Sequence, residues 1–418
     1  MRQIHGRASD EEGSREISAL PEGGYGWVCV AASFLLNAHT WGINSAYGVI
    51  LSFYLTEQTF PGTTALDYAF VGGLSIGCAM LVSPLATVLV HHCGIRVTVI
   101  LGASLVTTSF ITTSFVQSTW QLFLSQGVCF GLGLGFSFIG SVGVVSHWFG
   151  RRRSLVNGIT AAGGGIGGLI YSLATGAMLP RLGFPWTMRI FGIICFAVNS
   201  CCGSLLRLPS NAASPPAGGA MRLSAFRNIK YIILLTWGAL STLGYVVLLF
   251  SLSSYAVAVG RSQHQASIVS ALLNLGQAFG RPAVGMLSDK LGRVNVALTA
   301  TMLCGVLCFV FWIFAKSMTA ICFFAIAVGL VSGTLWATAA PLTAGIVGLG
   351  DMSSALGFFW LVLGPPCVGA EAIAVLLRDE VTDRYPYMRV QMLVGAVYIS
   401  AAMCLALLKG VQLTSKRK

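Results

Sequence analysis

The sequence predicts an all-α, polytopic membrane protein of about a dozen helices, and three observations carry that reading. Apolar residues make up 55% of the 418-residue chain and charged residues only 9%, against roughly 25% in soluble domains. A chain so poor in charge cannot cover itself with a solvated surface, so lipid must be the solvent for most of it. Its mean hydropathy is +0.80. The apolar residues also come in runs of roughly 20, the length that crosses a bilayer as a helix.

Twelve runs qualify: 25–54, 68–90, 97–116, 120–148, 154–179, 189–206, 231–256, 267–288, 294–315, 319–348, 353–377 and 388–408. The first follows a polar, charged stretch with no signal-peptide h-region, so it is expected to stay as a span. Short polar separators such as 56–67, 91–96 and 151–153 divide the runs. One separator is longer. Residues 207–230 include Asn211, Ser214, Pro215, Pro216, Gly218 and Gly219 and read as a flexible linker. It divides the chain into two six-helix bundles, 25–206 and 231–408, with tails at 1–24 and 409–418.

The formal charge of +12 would suggest nucleic acid in a soluble protein. Here the basic residues sit in short loops between apolar runs, and no basic patch is interleaved with exposed aromatics, so the lipid bilayer is the expected partner and nucleic acid is not. If the N-terminus is cytoplasmic, 17 of the 25 Lys and Arg fall on the cytoplasmic side, seven on the other, and Arg281 inside a span. That bias predicts both termini in the cytoplasm; the expected membrane is that of the cell surface, with an internal membrane as the alternative. Most of the 12 cysteines lie in apolar runs, where cysteine behaves as a small hydrophobe; no metal or cofactor is expected. Gly163-Gly164-Gly165-Ile166-Gly167-Gly168 has dinucleotide-loop spacing but follows no strand. Small residues in a span instead let helices approach closely, whether to slide or to pack statically. With only 13 Asp and Glu and no catalytic set by spacing, no enzyme is expected.

Three motifs and a Gly-Pro-Pro run point to a family. Pro21-Glu22-Gly23-Gly24-Tyr25-Gly26-Trp27 opens the first span. His147-Trp148-Phe149-Gly150-Arg151-Arg152-Arg153-Ser154-Leu155-Val156-Asn157-Gly158 enters the fifth. Gly280-Arg281-Pro282 precedes Asp289-Lys290-Leu291-Gly292-Arg293, and Gly364-Pro365-Pro366 lies in the eleventh. The set resembles the monocarboxylate transporter family of the major facilitator superfamily. The resemblance implies the major facilitator fold, with twelve helices in two bundles related by a pseudo-two-fold axis. It also implies secondary transport by alternating access, with the cavity between the halves.

The motifs have a physical reading of their own. Gly23, Gly24 and Gly26 allow a sharp entry into the helix, and Tyr25 and Trp27 suit the headgroup level. Arg151, Arg152 and Arg153 sit at a helix boundary, where they can hold anionic headgroups or meet the opposite half. Asp289 and Arg293, four residues apart, can form a charge clasp that locks one conformation; topology control alone is the plainer alternative.

Arg281 is the leading site residue. It lies well inside the eighth span, where an arginine costs roughly 2.5–3.5 kcal/mol to insert, so it should face the bundle interior or a cavity. Its planar fork suits a carboxylate, and the resemblance implies an anion-binding role for an arginine just before this proline. Asn44, Ser45, Asn157, Asn274 and Gln277 are the expected polar residues of the cavity. In proton-coupled members an aspartate sits one turn before the arginine and a lysine midway along the first helix. The matching positions here are Gln277 and Ser45, and neither titrates. Glu371, deep in the eleventh span, is the candidate proton carrier; the competing reading pairs it with Arg378, two turns on.

The expected solute is therefore a small organic anion, most simply a monocarboxylate, with protons as a possible second partner. A larger metabolite or vitamin-like solute is the alternative. A transport-inactive sensor is a third reading, disfavoured by short tails that leave little room for a signalling domain.

Overall fold

A computed structural model describes residues 22–57, 60, 62–209, 223–348, 350–378 and 387–417. Apart from turns and short connections these residues are helical, and every apolar run predicted above is helix, in one piece or in several. The first span, α1, comes in three pieces: Gly26–Ala38, Trp41–Ser45 and Tyr47–Glu57. The second, α2, joins Ala65–Leu81 to the first part of Ser83–Thr113, and α3 is the remainder of that helix after Gly94. Thr119–Leu122, the wider-pitched Phe123–Cys129 and Phe130–Val142 make α4. The long helix Arg153–Leu205 folds at Gly183 into α5 and α6. Then come α7 (Ile229–Ala258), α8 (Gln263–Leu291), α9 (Arg293–Val310), α10 (Met318–Ser332 and Thr334–Val347), α11 (Met352–Leu377) and α12 (Met388–Arg417).

Both reversals inside long helices occur at glycines with positive φ, 85° at Gly94 and 75° at Gly183. Residues with a side chain avoid that region, so each glycine marks a hairpin that a hydropathy plot does not resolve. Helix starts are capped as the sequence allows: Thr64 with Asp67, and Ser262 with Gln265, each form reciprocal capping boxes. The last helix runs on to Arg417, so residues 409–417 leave the predicted span as helix. The N-terminal tail before Glu22 and the centre of the predicted linker, 210–222, lie outside the described residues.

Within the first half α1 packs on α5, α2 and α3 on α4, and α3 on α6. In the second half α7 and α9 pack on α12, and α8 on α10. The halves meet along α5–α8 and α2–α11, with α1 touching α7. The glycine run of α5 makes two of these contacts at once. A Cβ on Gly163 would stand 2.0 Å from the Phe34 carbonyl oxygen of α1, and one on Gly167 2.1 Å from that of Ala38. On the other face, Cβ atoms at Gly158 and Gly165 would lie 2.5 Å from the Arg281 oxygen and 2.6 Å from the Ala278 nitrogen of α8. The run is thus close backbone packing of one helix between two others. All twelve cysteines are free.

The break in α1 has a tertiary cause. The His39 carbonyl accepts hydrogen bonds from Cys195 Sγ and Asn199 Nδ2 of α6 (3.2 and 3.5 Å), and Thr40 Oγ1 donates to the Leu36 carbonyl. Side chains take over from the helix's own ladder, as non-regular backbone at membrane depth requires.

Candidate functional site

Arg281 emerges from α8 at the contact between the halves, eight residues before Asp289 and so roughly 12 Å along the helix from that end. Three glycines make room for it. A Cβ at Gly333 would stand 2.7 Å from its Nε, one at Gly164 2.9 Å from its Nη1, and Gly158 lies against its carbonyl. The side chain is 5% exposed. Nη1 donates to the Ala161 carbonyl at 2.5 Å, and Nη2 to the Tyr245 hydroxyl at 3.2 Å and to Gln277 Oε1. Nε is buried with no partner. Every acceptor is neutral, and among the described residues no carboxylate reaches Arg281. An uncompensated cation is thus held by dipoles.

The guanidinium lines a cavity with Ser33, Asn37 and Trp41 of α1, Phe138 and Ser141 of α4, Asn157 and Thr160 of α5, Tyr245 of α7 and Trp336 of α10. The two halves contribute to it together. Its volume is about 30 Å³, room for a water or two. The halves touch at both ends of it. Towards the Asp289 end, Asp289 accepts from the backbone N–H of Ser154 and Leu155 at 3.3 and 3.0 Å, and Ser83 Oγ donates to the Gly357 carbonyl. Towards the other end, Ser52 Oγ donates to Gln263 Oε1 (2.6 Å) and Gln263 Nε2 to the Ser52 carbonyl (3.2 Å). The halves thus stand close together around a small cavity.

The expected polar residues divide. Arg281 and Asn157 line the cavity. Asn157 Nδ2 donates to Ser146 Oγ and the Arg153 carbonyl. Gln277 stands behind it, its Oε1 accepting from both Arg281 and Tyr245 (3.0 Å from the latter) and its Nε2 unpartnered. Asn274 packs against Gly168 with Oδ1 unpartnered. Asn44 donates to Ser75 Oγ of α2 at 2.7 Å. Ser45 is buried in the short middle piece of α1. Asn44, Ser45, Gln277 and Asn274 are not part of the cavity wall.

Glu371 is fully buried, and its Oε1 accepts from Arg378 Nη2 at 2.8 Å. Ser251 Oγ lies 3.1 Å from both carboxylate oxygens, and the Arg378 guanidinium lies 4.8 Å over the Tyr387 ring. The carboxylate thus faces an ion-pair partner on its own helix end, outside the cavity.

The motif residues meet at the end that carries Asp289. Glu22 Oε1 accepts from the backbone N–H of Gly150 and Arg151 at 2.8 and 2.6 Å, and the Glu22 N–H donates to the Trp148 carbonyl. Gly24 turns the chain with φ 62°. A Cβ on Gly26 would stand 2.9 Å from Trp148 Cβ. A Cβ on Gly23 would meet only Trp27 Nε1, at 3.9 Å. Trp27 sits edge-on to Phe149, 5.1 Å between centroids, and is 43% exposed, as an interfacial anchor would be. The first two motifs are therefore one clasp between the start of α1 and the entry to α5. Arg151 and Arg152 are exposed, whereas Arg153 turns inward to the Phe149 carbonyl. Arg293 spans Asp289 (3.9 Å) and the Pro341 carbonyl (3.3 Å).

A family model for the Major Facilitator Superfamily matches residues 27–362. The chain belongs to that superfamily. It is 34% identical over 406 residues to "Probable transporter MCH2" of Saccharomyces cerevisiae, covering 96% of this chain and 86% of that one. It is 26% identical to "Monocarboxylate transporter 10" of Danio rerio (90% and 76% covered) and 25% identical to "Agnestins efflux protein AgnL12" of Paecilomyces divaricatus (89% and 86% covered). Within the superfamily these similarities and the motifs place it among the monocarboxylate-type transporters: a multi-pass membrane protein with twelve helices in two six-helix bundles. Among the described residues, eight helices are long and apolar enough to cross a membrane. The remainder of the twelve arise because Arg153–Leu205 holds two spans, α1 and α2 are broken, and α8 is more polar.

Sequence reasoning missed Tyr245, which holds both Gln277 and Arg281, and the aromatic residues Trp41, Phe138 and Trp336. Each lies in an apolar run, where an aromatic ring gives no signal beyond hydrophobicity.

Proposed function

We propose that this transporter carries a small organic anion, most readily a monocarboxylate, across the cell membrane by alternating access, with both termini in the cytoplasm. One observation carries the reading: Arg281, at the seam of the two halves and in the cavity wall, is buried with neutral partners only. Burying an unpaired charge is costly, and a site that admits an anion recovers that cost with each bound solute. The contacts at both ends are the ones that must break in turn, Asp289 with the start of α5 on the cytoplasmic side and Ser52 with Gln263 on the other. The excess of Lys and Arg at the Asp289 end supports the orientation.

Export of a larger metabolite is the second reading. It draws on the efflux relative named above and on Gln277 and Ser45, which leave the first and eighth spans without the titratable pair. The test is uptake into proteoliposomes of labelled monocarboxylates, aliphatic and aromatic, with and without a proton gradient. Saturable uptake that is lost in Arg281→Gln supports the anion reading. Transport of a bulky neutral compound, with no acid carried, overturns it.

A further inference from the structure

The ring cluster around Arg281 has no role in the anion argument, yet it forms most of the apolar wall. Trp41 and Phe138 come from the first half; Tyr245, Trp336 and Trp360 from the second. Trp41 and Trp336 meet across the seam with centroids 4.8 Å apart and planes at 47°. Trp336 stacks on Trp360 at 5.6 Å and 10°, and Tyr245 meets Trp336 edge-on at 5.8 Å. The indole N–H groups of Trp41, Trp336 and Trp360 are buried with no acceptor. A buried tryptophan N–H ordinarily finds one. Trp41 and Trp336 both line the cavity, and among the described residues no Asp or Glu does.

We propose that the solute is a planar, ring-bearing carboxylate that carries a second hydrogen-bond acceptor away from the carboxylate and no ammonium group. This deepens the anion reading and rests on it. When the halves part, the Trp41–Trp336 contact opens because its rings belong to opposite halves, and apolar ring faces are left on either side of a slot beside Arg281. A conjugated ring replaces the lost ring–ring contact, since offset and edge-on aromatic geometries are worth more than their buried area alone. Arg281 takes the carboxylate. The unpartnered indole N–H groups take the distal acceptor. An amino acid would bring an ammonium into a wall with no carboxylate to receive it, which penalises zwitterions.

The test is calorimetric binding to the purified full-length protein of 4-acetylbenzoate, benzoate, cyclohexanecarboxylate, lactate and phenylalanine. The expected order begins with 4-acetylbenzoate, then benzoate. Cyclohexanecarboxylate, of similar size but not planar, binds about tenfold or more weaker than benzoate, and phenylalanine does not bind. Trp336→Phe keeps the preference for benzoate over cyclohexanecarboxylate but removes that of 4-acetylbenzoate over benzoate, and Trp336→Leu removes both. If cyclohexanecarboxylate or lactate binds as well as benzoate, in an Arg281-dependent way, the ring inference falls and the anion reading stands. If no acid binds, both fall. Should the Trp336 variants fail to fold, the wild-type series decides alone.

Discussion

Arg281 and Arg378 are both arginines of the second half with buried side chains, and they are held in opposite ways. Arg378 is at the end of α11, bonded to the carboxylate of Glu371, with Ser251 and the Tyr387 ring closing around the pair. Its charge is neutralised inside one bundle and stays so whatever the other half does. Arg281 sits at the seam, bonded only to a carbonyl, a hydroxyl and an amide oxygen. Breaking a buried pair leaves an uncompensated charge, whereas removing a charge that has no counter-charge removes a burden. The two sites should therefore answer the same mutation with opposite signs, and that contrast separates a structural charge from a functional one.

The largest expected effect is at the paired site. Arg378→Ala leaves Glu371 buried alone and should destabilise the protein by about 3–5 kcal/mol, seen as early thermal aggregation in detergent. Glu371→Leu with Arg378→Leu should restore most of that loss. If Arg378→Ala is tolerated and Glu371→Gln abolishes a proton dependence of transport, the pair is a proton site and not a brace.

Arg281→Lys keeps the charge but loses the fork. It should weaken anion binding about ten- to a hundredfold, while thermal stability stays within about 1 kcal/mol of wild type. A stability loss as large as that of Arg378→Ala would erase the distinction. Gln277→Asp turns one kind of site into the other by giving Arg281 a partner one turn away. At neutral pH the new carboxylate competes with the solute and affinity falls. In acid it is protonated, Arg281 is released and affinity recovers, so binding strengthens as pH falls, as Kd measured at neutral and acid pH would show. The smallest effect concerns the latch. In Asp289→Asn the amide oxygen can still accept from Ser154 and Leu155, so only the charge–dipole part is lost, about 0.3–1 kcal/mol. Hydrogen exchange at residues 153–160 should rise modestly; unchanged exchange would mean that Asp289 does not hold that end closed.

Much of this was legible in the chain. Run length gave the twelve spans, because hydropathy is a local property. Arg281 stood out because a lone cation in an apolar run is visible without a structure. What escaped was what long-range contact decides. The break in α1 is invisible in the run 25–54 because its support, Cys195 and Asn199, lies more than 150 residues away. Asp289 read as a clasp with Arg293 from their spacing, yet its carboxylate also reaches the start of α5 in the other half. The glycines of α5 announced close packing but not their two faces. Glu371 offered a proton carrier and, more readily, an ion pair or a solvated mouth residue, and only the fold shows Arg378 turned back onto it.

The central claim is that Arg281 is kept for a visiting anion. The most direct measurement is calorimetric binding of benzoate and of its neutral amide, benzamide, to wild type and to Arg281→Gln. The account predicts that wild type binds the acid well and the amide weakly, and that the variant, folded and at least as stable, loses the acid and barely changes for the amide. Equal affinity of wild type for acid and amide, or full binding of the acid by Arg281→Gln, would contradict it.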